Sequence, residues 1–319
     1  MNRKERWLCA MQCRDTDRPP LTFWRHFAGE DAQGERCAKL HGEFFRATGM
    51  DMVKVMHDGL SAPCSLEVRT AADLRAYRPL GKRNPYIEAY VERCKRVVDE
   101  IGSEVYIYCN VFAPFTLLRR IGDERLAGLI RSDRSAVLHA MNVLSEEIAL
   151  LCERVVCEAG CLASFVAFQG AEETRFSDAD FDEIVRPYDL RVLAVANKVS
   201  AYNILHFCAW DEVKNRMDRW RLYPGRAVNW AIYVDGMTLP QGRVFFAGRP
   251  VLGGFDNRRG RVLYSGTREA VKARTREIVA DYALAVGSTR GLIVGADCSL
   301  LTDFERERFT WVRDALMEL

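Results

Sequence analysis

Three residues whose side chains bind zinc in other proteins occur at two places in the chain. His206 and Cys208 stand two residues apart in an apolar run, and Cys298 follows a second apolar run ninety residues later. Because side chains two apart on a strand point to the same side, His206 and Cys208 can face one metal ion while Phe207 points away. One imidazole and two thiolates suit zinc, and three protein ligands leave a fourth position open, as in catalytic sites. The alternative interpretation is a core histidine beside two buried cysteines, because unpaired cysteine is often buried.

Four other polar residues follow the ends of predicted strands and are candidate catalytic residues: His57, Asn110, Gln169 and Asp235. His57, with Asp58 beside it, suits the orientation of a substrate or of a zinc ligand. Asn110 and Gln169 suit hydrogen bonds to substrate oxygens, and Asp235 suits a place that faces the pocket. A structural role in a loop or turn is the alternative for each of them.

The elements that must position these residues are read from the hydrophobic pattern. Eight short runs read as strands and alternate with helical segments; they are residues 21–24, 51–56, 104–109, 162–168, 201–206, 227–233, 244–247 and 291–296. Several are continuous apolar runs, which is typical of a parallel sheet buried on both faces. We therefore predict an α/β fold: a single (β/α)8 TIM barrel over residues 1–319, with an N-terminal helical extension at residues 2–13. In such barrels the site lies at the C-terminal ends of the strands, where all the candidate residues are expected.

Composition excludes several classes of function. The chain has 319 residues, of which 49% are hydrophobic, and a formal net charge of +2. No basic tract indicates nucleic-acid binding, and no apolar run is long enough to predict a signal peptide or a membrane span. Eleven cysteines without a secretion signal favour reduced thiols. We therefore expect a cytoplasmic protein that binds neither nucleic acid nor membrane.

Several short segments resemble the uroporphyrinogen decarboxylase superfamily. Residues 5–11 followed by 16–20 resemble the opening of its members, and further segments agree in order and spacing: residues 110–116, 181–188, 251–256 and 264–267. The resemblance covers essentially the whole chain and implies a (β/α)8 barrel, in agreement with the predicted strands.

Two kinds of chemistry occur within that superfamily. The decarboxylases carry an arginine-rich segment after the first strand, but residues 23–30 hold only Arg25 and add an acid. The zinc methyltransferases that act with methyl-corrinoid proteins carry H-x-C and a later cysteine, which His206, Cys208 and Cys298 match. Ala209 departs from the glycine that is usual in the corrinoid-linked thiol methyltransferases, which leaves the substrate open.

The resemblance thus implies a zinc-dependent methyltransferase that moves a methyl group between a corrinoid protein, which carries the cobalamin cofactor, and a small thiol or methoxylated substrate. One alternative is a metal-independent decarboxylase similar to uroporphyrinogen decarboxylase. Another is a non-catalytic partner of a corrinoid protein. The sequence leaves the direction of transfer, the fourth zinc ligand and the oligomeric state open.

Overall fold

A parallel sheet forms the centre of the fold. The computed structural model describes residues 1–60, 62–64 and 67–319. Within these residues the sheet has seven strands, ordered as in the sequence: β1 Met52–Val55, β2 Tyr106–Phe112, β3 Ala163–Phe168, β4 Ile204–Phe207, β5 Ala227–Trp230, β6 Val251–Phe255 and β7 Leu292–Ala296. Nearly every strand residue is buried, because helices cover the outer face and the curl of the sheet encloses the inner face.

The helices that follow and cover the strands are α1 Arg3–Met11, α2 Gly34–Thr48, α3 Ala71–Arg75, α4 Pro85–Ile101, α5 Pro114–Leu118, α6 Asp123–Ser132, α7 Arg134–Cys157, α8 Asp178–Asp180, α9 Arg186–Val199, α10 Ile232–Asp235, α11 Leu239–Phe245, α12 Val262–Ser265, α13 Arg268–Val286 and α14 Glu307–Met317. The order of strands and helices makes the architecture TIM-barrel-like.

The predicted closed barrel of eight strands is wrong in strand number and closure. Residues 21–24 lie between β7 and β1 but pair only at isolated positions, such as Leu21 with Val294. Thr22 N donates to the Val294 carbonyl of β7, but the two amides on either side of it bind side chains: Leu21 N donates to Asp51 Oδ2 at 2.8 Å and Phe23 N to Met50 Sδ at 3.2 Å. A continuous ladder with β1 therefore cannot form here.

A second predicted strand, residues 244–247, is also wrong. This apolar run belongs to the end of α11 and the turn after it, and the strand at this place is β6. A short apolar run fits a strand and a helix equally well by periodicity. The residues at the start of the segment favour the helix, because Thr238 and Gln241 form a capping box and Pro240 occupies the first turn.

Helix α1 closes the N-terminal end of the sheet interior. Asn2 and Glu5 form its capping box, and Trp7 and Met11 are fully buried. The Trp7 indole donates to the hydroxyl of Tyr108 on β2 at 3.0 Å. The predicted N-terminal helix is therefore confirmed, and it seals one end of the interior.

Helix α7 is long and apolar enough to cross a membrane by length and composition. It packs against α9, β2 and β3, and 67% of its most apolar window is buried within the protein. Its apolar residues are thus used in the core of the fold.

Candidate metal centre

The curl of the sheet brings together the three residues of the predicted metal site. His206 lies on β4, Cys208 follows that strand directly, and Cys298 comes two residues after β7. One ligand atom from each residue lies within 4.8 Å of the other two, and Cys298 Sγ is 3.5 Å from His206 Nε2. Imidazole nitrogen and two cysteine sulfurs at this separation are a donor set that fits zinc.

The orientation of the His206 ring is fixed by Asn229 on the neighbouring strand β5. Asn229 Nδ2 donates to the carbonyls of Leu252 and Ala296 at 2.9 and 3.1 Å, so its Oδ1 faces His206 Nδ1 at 2.5 Å. His206 Nδ1 must then carry the proton, which leaves the Nε2 lone pair directed toward the cysteines. Histidine ligands of metals are commonly held in this way by a second hydrogen bond.

The two cysteines lie close enough that each changes the pKa of the other. A hydrogen bond from Cys208, with smaller contributions from the neighbouring His206 ring and Lys54, holds the pKa of Cys298 well below its usual range. That same hydrogen bond, followed by burial, raises the pKa of Cys208. Cys298 is therefore the thiolate and Cys208 the thiol that donates to it. A bound divalent metal takes the place of that thiol proton.

Lys54 is a functional candidate that the sequence analysis missed. It lies on β1, is buried, and places Nζ 4.0 Å from the ring centroid of Phe165 and 4.3 Å from that of Trp24. Burial lowers the pKa of Lys54 to about 7, while Cys298, Asp58 and Cys208 act to raise it. The available signal was a lysine in the middle of an apolar strand, where a charge is costly.

A cavity of about 700 Å3 opens beside this centre. It is lined by His26, His57, Asp58, Phe112, Thr116, Arg119, Arg120, Gly122, Asp123, Gln169, Trp210 and Asp211. Gln169 connects the cavity to the metal centre, because its side chain also hydrogen-bonds Cys208 and acts to lower the pKa of that thiol.

His57 and Asn110 form a pair at the cavity wall. Asn110 lies within β2 and donates from Nδ2 to His57 Nδ1 at 2.7 Å. Burial lowers the pKa of His57 to about 3, although the nearby Asp58 acts to raise it. The ring is therefore neutral at pH 7 and carries its proton on Nε2. That geometry makes His57 a hydrogen-bond donor toward the cavity, with Asn110 as its support.

Asp235 does not belong to this group. It ends α10 and accepts hydrogen bonds from the amide and side chain of Asn215 at 2.9 and 3.2 Å. Burial raises the pKa of Asp235 to about 6, and among the described residues it is not part of the cavity wall. Asp235 lies close enough to Asp297, the residue before Cys298, to act on its pKa, but its own side chain is held by Asn215.

Comparison with protein-family profiles shows which family the chain belongs to. The profile of the uroporphyrinogen decarboxylase (URO-D) family matches residues 45–319. The chain belongs to the uroporphyrinogen decarboxylase family. No curated protein matches the sequence. The family assignment agrees with the resemblance seen in the short sequence segments.

The chain shares its fold with several solved structures. A methyltransferase from Methanosarcina mazei superposes with a TM-score of 0.75 at 16% identity, covering 100% of this chain and 99% of that one. A GH5_18 protein from Streptomyces cattleya gives 0.55 at 12% identity, with 95% and 81% covered. Identities this low show the shared fold alone.

Proposed function

We propose that this uroporphyrinogen decarboxylase family member is a zinc-dependent methyltransferase. In this proposal it moves a methyl group between a corrinoid protein and a small thiol or methoxylated substrate. The observation that carries the proposal is the convergence of His206 Nε2 with the sulfurs of Cys208 and Cys298 beside an open cavity. The fold shared with a methyltransferase from Methanosarcina mazei supports it.

The residues of the centre fit zinc in number, chemistry and orientation. Three donors leave a fourth position open, and His206 presents a free nitrogen because Asn229 holds its other one. Zinc bound by these residues would act as a Lewis acid that lowers the pKa of a thiol or polarises an ether oxygen in the open position. No further protein ligand is needed for that chemistry.

The residues of the cavity then bind and orient the small molecule. Gln169 lies between the cavity and Cys208, so its amide can fix the end of the molecule that reacts. His57 donates a hydrogen bond from Nε2, and Asn110 prevents its ring from turning. Phe112 and Trp210 give the cavity apolar walls that exclude water from the reacting end.

A decarboxylase is the second candidate, favoured by the family description. The described residues offer it less support. Arg25, which represents the arginine-rich segment of the decarboxylases, donates to the Thr302 carbonyl and lies over the Phe27 ring, outside the cavity wall. Arg119 and Arg120 do line the cavity, and of the two Arg119 is already paired with Asp123 and Glu172.

The proposal is tested by metal analysis and a methyl-transfer assay on the same preparations. We expect about one zinc per wild-type chain, because three donors with an ordered geometry bind it tightly. Cys298→Ala should lose most of the metal and at least about a thousandfold of the transfer rate from methylcobalamin to a thiol, because two ligands cannot hold the ion. Cys157→Ser, an exposed cysteine away from the site, is the matched control and should change neither quantity.

Three outcomes contradict the proposal. Wild-type protein that contains no zinc after expression with added zinc would remove its basis. Carbon dioxide release from an acidic substrate by the metal-free chain would favour the decarboxylase instead. Tight binding of a corrinoid protein without turnover of any methyl acceptor would indicate the non-catalytic partner.

A further inference from the structure

Arg120 is a cation in the cavity wall that has no carboxylate of its own. It is exposed, lines the cavity of about 700 Å3, and has no hydrogen-bond or ion-pair partner for its side chain within the described part of the chain. Arg119 lines the same cavity, but Asp123 accepts from its Nε and Nη2 at 2.7 Å and Glu172 accepts from its Nη1. Arg119 is therefore held by two carboxylates, whereas the guanidinium of Arg120 is left for a ligand.

The other two acids of the cavity wall also have partners of their own. Asp58 Oδ1 and Oδ2 lie 2.8 and 2.9 Å from His26 Nδ1 and the Phe27 amide. Asp211 Oδ2 accepts from Arg175 at 3.0 Å, and its side chain is 58% exposed to solvent. The acids of the wall are thus engaged, and none of them neutralises the unpaired guanidinium.

His57 provides a second donor at the same cavity. The residue is 8% exposed, Asn110 holds its Nδ1 at 2.7 Å, and its Nε2 has no partner among the described protein atoms. Burial is the main cause of the low pKa of His57, and Arg120 is near enough to lower it further. The neutral ring therefore directs an N–H without a protein acceptor at the cavity, and such a group favours a ligand that accepts from it.

The backbone that follows Arg120 also favours an anion. Gly122 lines the cavity and is the N-cap of α6, and no side chain caps the first amides of that helix. Amides at the start of a helix carry partial positive charge and attract carboxylates. Of the acids in this first turn, Asp123 is bound to Arg119, and Glu124 is not part of the described cavity wall.

From these donors, and on the basis of the proposed function, we propose that the cavity binds a small organic acid whose carboxylate is held by Arg120 and by the Nε2–H of His57. A guanidinium forms strong, charge-assisted hydrogen bonds with a carboxylate. Phe112 and Trp210 in the same wall pack against the apolar body of the acid. The methyl donor or acceptor is then an acid that carries a methyl ether or a thiol, and neutral ethers and simple thiols are disfavoured.

The experiment measures Kd by calorimetry with the full chain, as purified and again after a chelator has removed metal. 4-Methoxybenzoate is the acidic probe, and 4-methoxybenzyl alcohol is its neutral counterpart. 3-Mercaptopropionate and 3-mercapto-1-propanol repeat the comparison for thiols. The variants are Arg120→Gln, which removes the charge, and Arg120→Lys, which keeps the charge without the planar fork. Arg131→Gln, at an exposed position of α6 that is not part of the cavity wall, is the matched control.

We expect the wild-type protein to bind at least one acid about tenfold more tightly than its neutral counterpart. Arg120→Gln should lose about five- to twentyfold of the affinity for that acid and keep the affinity for the neutral probe within about twofold. Arg120→Lys should recover part of the loss, and Arg131→Gln should match the wild type. The pair with the larger preference shows whether the acid carries the ether or the thiol.

Several results overturn the inference. Wild-type protein that binds the acids no more tightly than the neutral probes does so, as does an equal loss of both kinds of probe in Arg120→Gln. A loss of acid affinity in Arg131→Gln as large as that in Arg120→Gln assigns the effect to overall charge and rejects the site. If Arg120→Gln does not fold by circular dichroism, Arg120→Met supplies the neutral side chain, and failure of both gives Arg120 a purely structural role.

The inference and the proposed function fail separately, because the binding is also measured without metal. Wild-type protein that binds no zinc defeats the proposed function, whereas a preference for acids that depends on Arg120 still stands. Zinc-dependent methyl transfer to a neutral acceptor, without any preference for acids, defeats the inference alone.

Discussion

The two ends of the sheet interior differ in whether their buried polar and charged groups have partners. At the N-terminal end, beneath α1, both oxygens of Asp51 are bonded: Arg6 and Arg18 contact them at 2.7 and 2.8 Å. At the C-terminal end, Asp297 Oδ1 and Glu172 Oε2 are buried without a hydrogen-bond partner in the described part of the chain, and Lys54 has only aromatic contacts. The paired charges at the first end stabilise the fold, whereas the second end has polar atoms that can still bind a ligand.

The largest effect is expected at the N-terminal end, from Asp51→Ala. The change leaves Arg6 and Arg18 beside no carboxylate at this position and should lower the free energy of unfolding by about 3–5 kcal/mol. Urea denaturation measures it. Asp17→Ala is the control, because Asp17 also pairs with Arg6 but its side chain is 40% exposed; we expect about 1 kcal/mol or less there. Equal losses for the two variants would break the proposed contrast.

The next effect is expected at the C-terminal end, from Asn229→Ala. Loss of the acceptor for His206 Nδ1 should weaken zinc binding about 10- to 100-fold, because the ring is no longer held toward the cysteines. Competition with a chelator measures the affinity. Asn203→Ala is the matched control: this equally buried asparagine bonds the amide of Ser164 and the carbonyls of Ala196 and Ser200. It should cost stability and leave zinc affinity unchanged.

Asp235 offers a test by pH. Burial raises the pKa of Asp235 from 3.8 to about 6 in the folded protein, so its ionisation opposes folding as the pH rises through that interval. Asp235→Asn should therefore stabilise the protein by about 1–3 kcal/mol at pH 7 and by much less at pH 4. Unfolding curves at the two pH values measure the difference.

Asp256→Asn is the opposite case. Burial acts to raise the pKa of Asp256, but hydrogen bonds from Arg258 bring it below its usual value. Ionised Asp256 therefore supports folding above that range, and Asp256→Asn should destabilise the protein at pH 7. If both variants shift stability in the same direction at pH 7, the distinction between Asp235, which has no ion-pair partner within the described part of the chain, and Asp256, which pairs with Arg258, is wrong.

The smallest effect is expected from Trp210→Ala. Trp210 lines the cavity, lies 5.6 Å from the Arg119 guanidinium and is 44% exposed, so it contributes part of an apolar wall. Its loss should raise the KM for a small methyl acceptor about three- to tenfold and leave the zinc content unchanged. Trp311→Ala is the control, because Trp311 makes a similar contact with Arg308 on α14 and does not line the cavity. A change in zinc content would contradict the assignment of Trp210 to the cavity alone.

The convergence of the three candidate metal ligands could be predicted because its rules are local. The two-residue period of a strand placed His206 and Cys208 on one side, and the common direction of parallel strands brought Cys298 to the same end. Lys54 was missed because a strand buried on both faces gives no alternation that separates interior from exterior. The strand predicted to residue 233 ends at Trp230, so Asp235 lies at the end of a short helix and not directly after a strand.

The errors in the predicted fold have a different cause. Groups distant in the sequence compete for the same backbone hydrogen bonds. The segment at residues 21–24 has a strand-like sequence, but the Asp51 carboxylate and the Met50 sulfur take its amides. Those partners come from a loop about thirty residues away, which no local pattern reveals. The apolar run at 244–247 is compatible with a strand or a helix, and the capping residues before it favour the helix.

Because α1 seals the N-terminal end of the sheet interior, it limits the route by which a ligand can reach the candidate site. Trp7 is fully buried and bonded to Tyr108, whose hydroxyl in turn donates to the carbonyl of Tyr202, so this end offers no passage. Anything that reaches the cysteines must come through the opposite mouth. In the proposed methyl transfer, a small acceptor and the corrinoid protein would then use the same opening in succession, with the small molecule entering before the protein covers it.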